Sequence, residues 1–270
     1  MCDRDIETGF FPKDPVSRPI LLTNANLYVP EPLGPGSVLV EGDRIVSISE
    51  WPAGHPAPGV ESIDLSGAAL GPGLIDLHTH GAGGVDLMDG DDAVVRMARF
   101  FARHGVTGFM PATVTASWEA TEQAVVNVRA AMAAPPRGAR VLGIHLEGPF
   151  LSPERLGAQS RVHCIPPTPE SVARLIGLAR GLPVLVTLAP ELKGAMDAIH
   201  ALVGAGAVVS IGHTVASTEE AEAAFGAGAT QVTHLFNGMP PMHHRMPGVV
   251  GAALTTDGVR VELIADGVVA

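Results

Sequence analysis

Two histidines stand one residue apart in the stretch GPGLIDLHTHGAGGVD, at the end of an apolar run. On a β-strand, alternate side chains share a face, so His78 and His80 would direct both imidazoles the same way. Gly81, Gly83 and Gly84 follow and permit a sharp turn, as expected of a strand that stops where something binds. Further residues of ligand type close other β-rich runs: Glu147 after RVLGIHLE, His213 after AVVSIGH and His234 after ATQVTH. A single histidine at a strand end is ordinarily a hydrogen-bonded rim or core residue. Four of them with a glutamate are different. Imidazole and carboxylate together suit one or two divalent cations of the zinc, cobalt or iron type, provided the fold brings the strand ends to one place.

The order of elements supplies that convergence. From Ile20 to Leu70, short β-type runs alternate with turn signals such as EPLGPG and EGDR, which predicts a small domain of antiparallel strands. After Gly71 the rhythm changes. Strand-length runs (GLIDLHTH, VTGFMPAT, RVLGIHLEG, LPVLVTLAPE, AVVSIGHT, ATQVTHLF, VRVELIAD) alternate with helical stretches such as DAVVRMARFFARHG and STEEAEAAFGAG. About seven βα units in roughly 200 residues predict a (β/α)₈ barrel, in which the C-terminal strand ends meet at one mouth. His78 and His80 then close the first strand, Glu147 the third, His213 the fifth and His234 the sixth. His145 shares a strand face with Glu147 and is expected behind the ligands. His55, His104, His163 and His200 lack a strand-end context and receive no role.

Composition narrows the partners. The chain has 270 residues, 46% hydrophobic but only 4% aromatic, so the core must be aliphatic. A formal charge of -11 argues against nucleic acid or an anionic membrane surface as a partner. Two cysteines, Cys2 and Cys164, indicate no disulfide framework and a reducing cytoplasm. MCDRDIETGFFPKD carries acids and no apolar run, so residues 1–19 read as a poorly ordered leader rather than a secretory signal, and no membrane span is apparent. Trp51 and Trp118 read as packing residues at the surface.

The motifs PGLIDLHTHG, HLEGPFL, APE, GHT, THLFNGM, HHRMPGVVG and ELIADG resemble the N-acetylglucosamine-6-phosphate deacetylases of the amidohydrolase superfamily, in a match that runs from about Leu21 to Gly267. The resemblance implies an α/β barrel of the metal-dependent kind, lacking its eighth strand here, beside a small N-terminal β-sandwich at 20–70, with the barrel at 71–270. It implies that Glu147, His213 and His234 hold a primary metal, Zn²⁺ by type, and that His78 and His80 hold a second. Ala158, Gln159, Asn237, Gly238, Asp266 and Gly267 would meet a phosphorylated amino sugar, and Arg245 would take its phosphate, for which a guanidinium is well shaped. A homodimer is also implied.

The same resemblance raises a question about turnover. The family places a proton-carrying aspartate at the end of an eighth strand, and a histidine two positions after IADG. In ELIADGVVA, Val269 stands at that histidine's position and Ala270 is the last residue, so no catalytic aspartate is expected within 1–270. Asp257 and Asp266 are the nearest acids in sequence, and neither is assigned the role. Two readings follow, a deacetylase and a homologue that binds metal and sugar phosphate without turnover. A cyclic-amide hydrolase is a weaker third, because Glu191 of APE stands where a metal-bridging lysine would be expected.

Overall fold

The computed structural model describes residues 18–49 and 58–268. Most of the leader, together with Cys2, Trp51, His55 and Val269, lies outside the described residues. The chain divides into two units, Met1–Pro72 and Gly73–Ala270.

The first unit holds β1 (Ile20–Val29), β2 (Glu31–Glu41), β3 (Arg44–Ser49), β4 (Glu61–Asp64) and β5 (Ala69–Leu70). They form one sheet in the order β3-β2-β1-β4, with β5 also on β1. β1 buries Leu21, Ala25 and Leu27 on one face, the period-2 pattern of a half-buried strand. EGDR marks the β2-β3 hairpin, whereas EPLGPG, read as a turn, is the paired start of β2, the chain reversing at Pro30; both hairpins are antiparallel, but β4 and β5 pair parallel to β1, against the antiparallel expectation. Alternation identifies a strand and its inward face, and is silent on which neighbour it finds. Among the described residues this unit has a single sheet, one layer of the expected sandwich.

The second unit alternates strand and helix: β6 (Leu74–Thr79), the two-residue strands β7 (Gly81–Ala82) and β8 (Val85–Asp86), α1 (Ala93–Arg103), β9 (Val106–Thr113), α2 (Trp118–Ala133), β10 (Arg140–Val141), β11 (Ile144–Glu147), α3 (Pro169–Ala179), β12 (Val184–Leu188), α4 (Ala195–Gly204), β13 (Val208–Ile211), α5 (Thr218–Gly226), β14 (Gln231–Val232), α6 (Gly248–Thr255) and β15 (Arg260–Val261). The helices start where short polar side chains cap them. Ser117 accepts from Ala120 N, Thr168 from Ser171 N ahead of Pro169, and Ser217 and Glu220 form a reciprocal capping box.

β10 and β11 are one run interrupted at Leu142–Gly143. The parallel sheet therefore has seven positions, in the order β6, β9, β10/β11, β12, β13, β14, β15. Its core is aliphatic, as the composition requires: Ile144, Leu146, Val186, Leu188, Val209 and Ile211 from the strands meet Met97, Val128, Leu175, Ile199 and Leu202 from the helices. Six gaps of about 4.8 Å would put the outer strands of a flat sheet roughly 29 Å apart. Instead, His78 of β6 and Glu262, the residue after β15, lie 2.9 Å apart. The sheet is curled into a parallel half-barrel, and its strand ends share one rim.

Candidate metal centre

Glu147 ends β11, and its carboxylate, 1% exposed, is the hub of the rim. Four imidazole Nε2 atoms point at it: His78 at 3.3 Å, His213 at 3.2 Å and His234 at 3.3 Å from Oε1, and His80 at 3.1 Å from Oε2. The face-sharing of His78 and His80 read from their spacing is what the fold delivers.

The other ring nitrogens explain the orientation. His213 Nδ1 donates to the Arg155 carbonyl at 2.7 Å, His80 Nδ1 to the Ala112 carbonyl at 3.2 Å, and His78 Nδ1 to Glu262 Oε2 at 2.9 Å. With the proton on Nδ1, a neutral ring turns a bare Nε2 lone pair toward Glu147. Lone pairs facing a carboxylate need a proton or a cation between them, and this arrangement of outer acceptors is the one that prepares histidines for a metal. His213 Nε2 and His234 Nε2 are 3.1 Å apart. Together with Glu147 Oε1 they make a triangle of 3.1, 3.2 and 3.3 Å sides. Ligand bonds of about 2.0 Å in a tetrahedral site give edges of about 3.3 Å. The donor set therefore fits a divalent cation. Two ligand groups share Glu147, one with His213 and His234, the other with His78 and His80.

Electrostatics agree with this picture. Burial opposes charge on Glu147, yet hydrogen bonds from His213, His234, His78 and His80 outweigh it and hold the carboxyl far below its usual range. Burial also opposes charge on His78, but Glu147 and Glu262 raise it to about 9, and Glu147 raises His213 in the same way. A cation replaces the protons that these rings otherwise retain. His145 differs. Fully buried, and then repelled by the charge on His78, it is pushed down to about 3 and stays neutral. Its Nε2 meets Thr187 Oγ1 at 2.7 Å, which continues through Thr233 to Ser210, and its ring packs 4.3 Å from that of His78. It lies behind the ligands, as expected.

Local structure holds the two central histidines on unusual backbone. His213 has φ +48° and His234 φ +31°. Glu191 clamps the turn after His213, accepting from Thr214 Oγ1 and from Val215 N. Gly238 bonds that turn to the next one, its carbonyl accepting from Thr214 N at 3.0 Å. Glu191 thus serves as a loop anchor at the position where a bridging lysine was considered.

The residues assigned to substrate separate. Gly238 lies against the two ligand rings, and half-buried Asn237 beside it. Ala158 is exposed. The buried Gln159 is turned inward, its Nε2 donating to Glu147 Oε2 and its Oε1 accepting from Thr115 N at 2.7 Å. Arg245 is exposed on the segment Pro240–Gly248, where a cavity of about 540 Å³ runs along the start of α5 and is lined by none of the five ligands. Asp266 and Gly267 are exposed, with Asp266 Oδ1 accepting from Val268 N. Sequence reasoning missed Glu262. Its place directly after the seventh strand marks it as a rim residue but not as a partner of His78.

Fold and rim together define an α/β half-barrel whose His and Glu donor set fits a divalent cation. The chain belongs to the amidohydrolase family, whose sequence pattern matches residues 69–267. It is 42% identical over 205 residues to an N-acetylglucosamine-6-phosphate deacetylase of Bacillus subtilis, covering 74% of this chain and 52% of that protein. It is 39% identical over 214 residues to an N-acetylgalactosamine-6-phosphate deacetylase of Escherichia coli O157:H7, covering 79% and 56%. The crystal structure of the N-acetyl-D-glucosamine-6-phosphate deacetylase of Mycobacterium smegmatis superposes with a TM-score of 0.81 at 37% identity, over 93% of this chain and 65% of that one. The chain spans about half the length of the curated relatives it matches. No helix among the described residues is long and apolar enough to cross a membrane.

Proposed function

We propose that this chain carries the metal centre of a deacetylase that hydrolyses the acetamide of N-acetyl-D-glucosamine 6-phosphate to acetate and D-glucosamine 6-phosphate. The observation that carries the reading is the pair of ligand groups sharing Glu147 on the rim of a parallel half-barrel, of which this chain supplies seven strands of a (β/α)₈ barrel. The names of the relatives supply the substrate class. Zn²⁺ suits the imidazole and carboxylate donors. When bound, such a cation lowers the pKa of a water to about 7 and polarises an amide carbonyl.

The chain's own residues provide the rest of the site. Glu147 supplies the negative charge, His213 and His234 complete the first position, and His78 and His80 offer the second. Gln159 ties Glu147 to the β9–α2 loop through Thr115. Arg245 is the rim's candidate for the phosphate dianion, having a planar fork of donors. Departure of the amine needs a proton carried to its nitrogen. Among the described acids of the rim, Glu262 and Glu191 are already taken up by His78 with Gln231 and by Thr214 with Val215. Their engagement is the observation behind the second reading, binding of metal and sugar phosphate without turnover.

Acetate release from N-acetyl-D-glucosamine 6-phosphate by Zn²⁺-loaded chain, followed by NMR with metal-stripped chain as control, separates the two. A positioned acid-base group is worth about 10²- to 10⁴-fold, so release slower by that factor than from a full-length relative assayed in parallel marks a site without one. Binding without release selects the second reading. Neither binding nor release overturns both.

A further inference from the structure

Among the described residues the parallel sheet runs from β6 to β15, and a side chain spans the opening between them. Glu262 Oε2 accepts from His78 Nδ1 at 2.9 Å. The carboxylate is fixed from its own side of the opening, where Gln231 Nε2 donates to Oε1 at 2.6 Å and His234 N approaches Oε2 at 3.4 Å. His80 and His213 are oriented differently. They donate to main-chain carbonyls, Ala112 on the adjacent strand β9 and Arg155 in the loop after β11. His78 alone among these three takes its direction from the opposite edge of the sheet, through a side chain.

We propose that Glu262 is a positioning residue that holds His78 against Glu147, so that filling of the second cation position depends on β15 and β6 standing at the right separation. Carboxylate and histidine across the opening form one unit: a shift of β15 away from β6 pulls the Nδ1 acceptor away, frees the ring and withdraws Nε2 from Glu147. The position formed by Glu147, His213 and His234 has no member on β6, and none of its rings takes its direction from the Glu262 carboxylate. The inference rests on reading the rim as a metal centre.

The test measures Zn²⁺ bound per chain, its two affinities, and crystal structures of metal-free protein, for the 270-residue chain and its Glu262→Ala and Glu262→Gln variants. Loss of an outer partner of a ligating histidine costs about 10- to 100-fold in affinity. Glu262→Ala is expected to keep the first ion, bind the second that much more weakly, and turn the His78 ring away from Glu147. Glu262→Gln can still accept from Nδ1 and is expected to keep the ring in place, with a smaller loss confined to the second ion. Unchanged second-ion affinity in Glu262→Ala, with His78 Nε2 still within about 3.3 Å of Glu147, overturns the proposal. If the alanine variant does not fold, the glutamine variant decides: weakening of the second ion alone supports the proposal and no change overturns it. If the parent chain takes up no Zn²⁺, the metal reading fails separately, and the ring position in the metal-free variants then decides the role of Glu262.

Discussion

The middle of the parallel sheet and its β6 edge carry their candidate ligands on very different foundations. β11, β12 and β13 have neighbours on both sides, and Glu147 and His213 rise from residues such as Leu146, Leu188 and Ile211, which are buried. Among the described residues β6 has only β9 beside it and leaves Leu74 66% and Ile75 64% exposed, and on β15 Val261 is 42% exposed. His78 and His80 hang from the first of these edges. A ligand on a packed strand is held by the core, whereas a ligand on an edge strand is held by its own hydrogen bonds. The central position should therefore survive changes that empty the edge position.

Substituting ligands exposes the asymmetry most strongly. Glu147→Gln removes the member common to both groups and leaves the four Nε2 atoms facing a neutral amide, so both ions should be lost from a chain that binds two. His78→Asn combined with His80→Asn should leave one ion per chain on Glu147, His213 and His234. Elemental analysis after dialysis gives the counts. Loss of both ions, or of neither, from the double variant would show that the ligands are not divided between centre and edge in this way.

Protons sharpen the same contrast in the metal-free chain. His78 is raised from 6.5 to about 9, so the stability it contributes is fully present below pH 6.5 and disappears as pH rises through about 9. The difference corresponds to roughly 3 kcal/mol. Glu147 is depressed, so its contribution is present above its ordinary value near 4.5 and is lost as pH falls toward its folded value. The melting temperature of metal-free chain should fall between pH 6.5 and 9. Metal requires the deprotonated ring, so the affinity of the edge position should rise over the same interval, by about tenfold per pH unit while one proton is displaced. Thermal scans and titrations at pH 6, 7, 8 and 9 check both slopes. A flat metal-free profile would mean that His78 does not hold its proton between Glu147 and Glu262.

Much of this centre was legible because its determinants are local. Strand-end positions and the i, i+2 spacing of His78 and His80 follow from backbone geometry alone. What escaped depends on partners distant in sequence. Glu262 reaches a residue 184 positions away, and nothing in VRVELIAD distinguishes an orienting carboxylate from a solvated one. Gln159 was legible as a residue near the substrate only through the resemblance, and its amide in fact faces Glu147. The parallel pairing of β4 and β5 escaped for a related reason: strand propensity carries no direction.

The smallest effect separates backbone strain from contact with the centre. Gly238 has φ +62°, and a Cβ there would lie 3.2 Å from His234 Cε1 and 3.3 Å from His213 Nδ1. Gly84, in the turn between β7 and β8, has φ +78° with nothing within 4 Å of the same atom. An alanine in left-handed backbone costs about 1–2 kcal/mol wherever it stands, so Gly238→Ala and Gly84→Ala should lower the melting temperature by similar amounts. Only Gly238→Ala presses on the rings. His213 is anchored through Nδ1 to the Arg155 carbonyl and cannot retreat freely, so the central ion should bind severalfold more weakly while the edge ion is unaffected. Calorimetric titration of both variants measures the difference. Equal central-ion affinity in the two would mean that the rings yield a few tenths of an ångström at no cost, and that the packed middle of the sheet holds its ligands less rigidly than its burial implies.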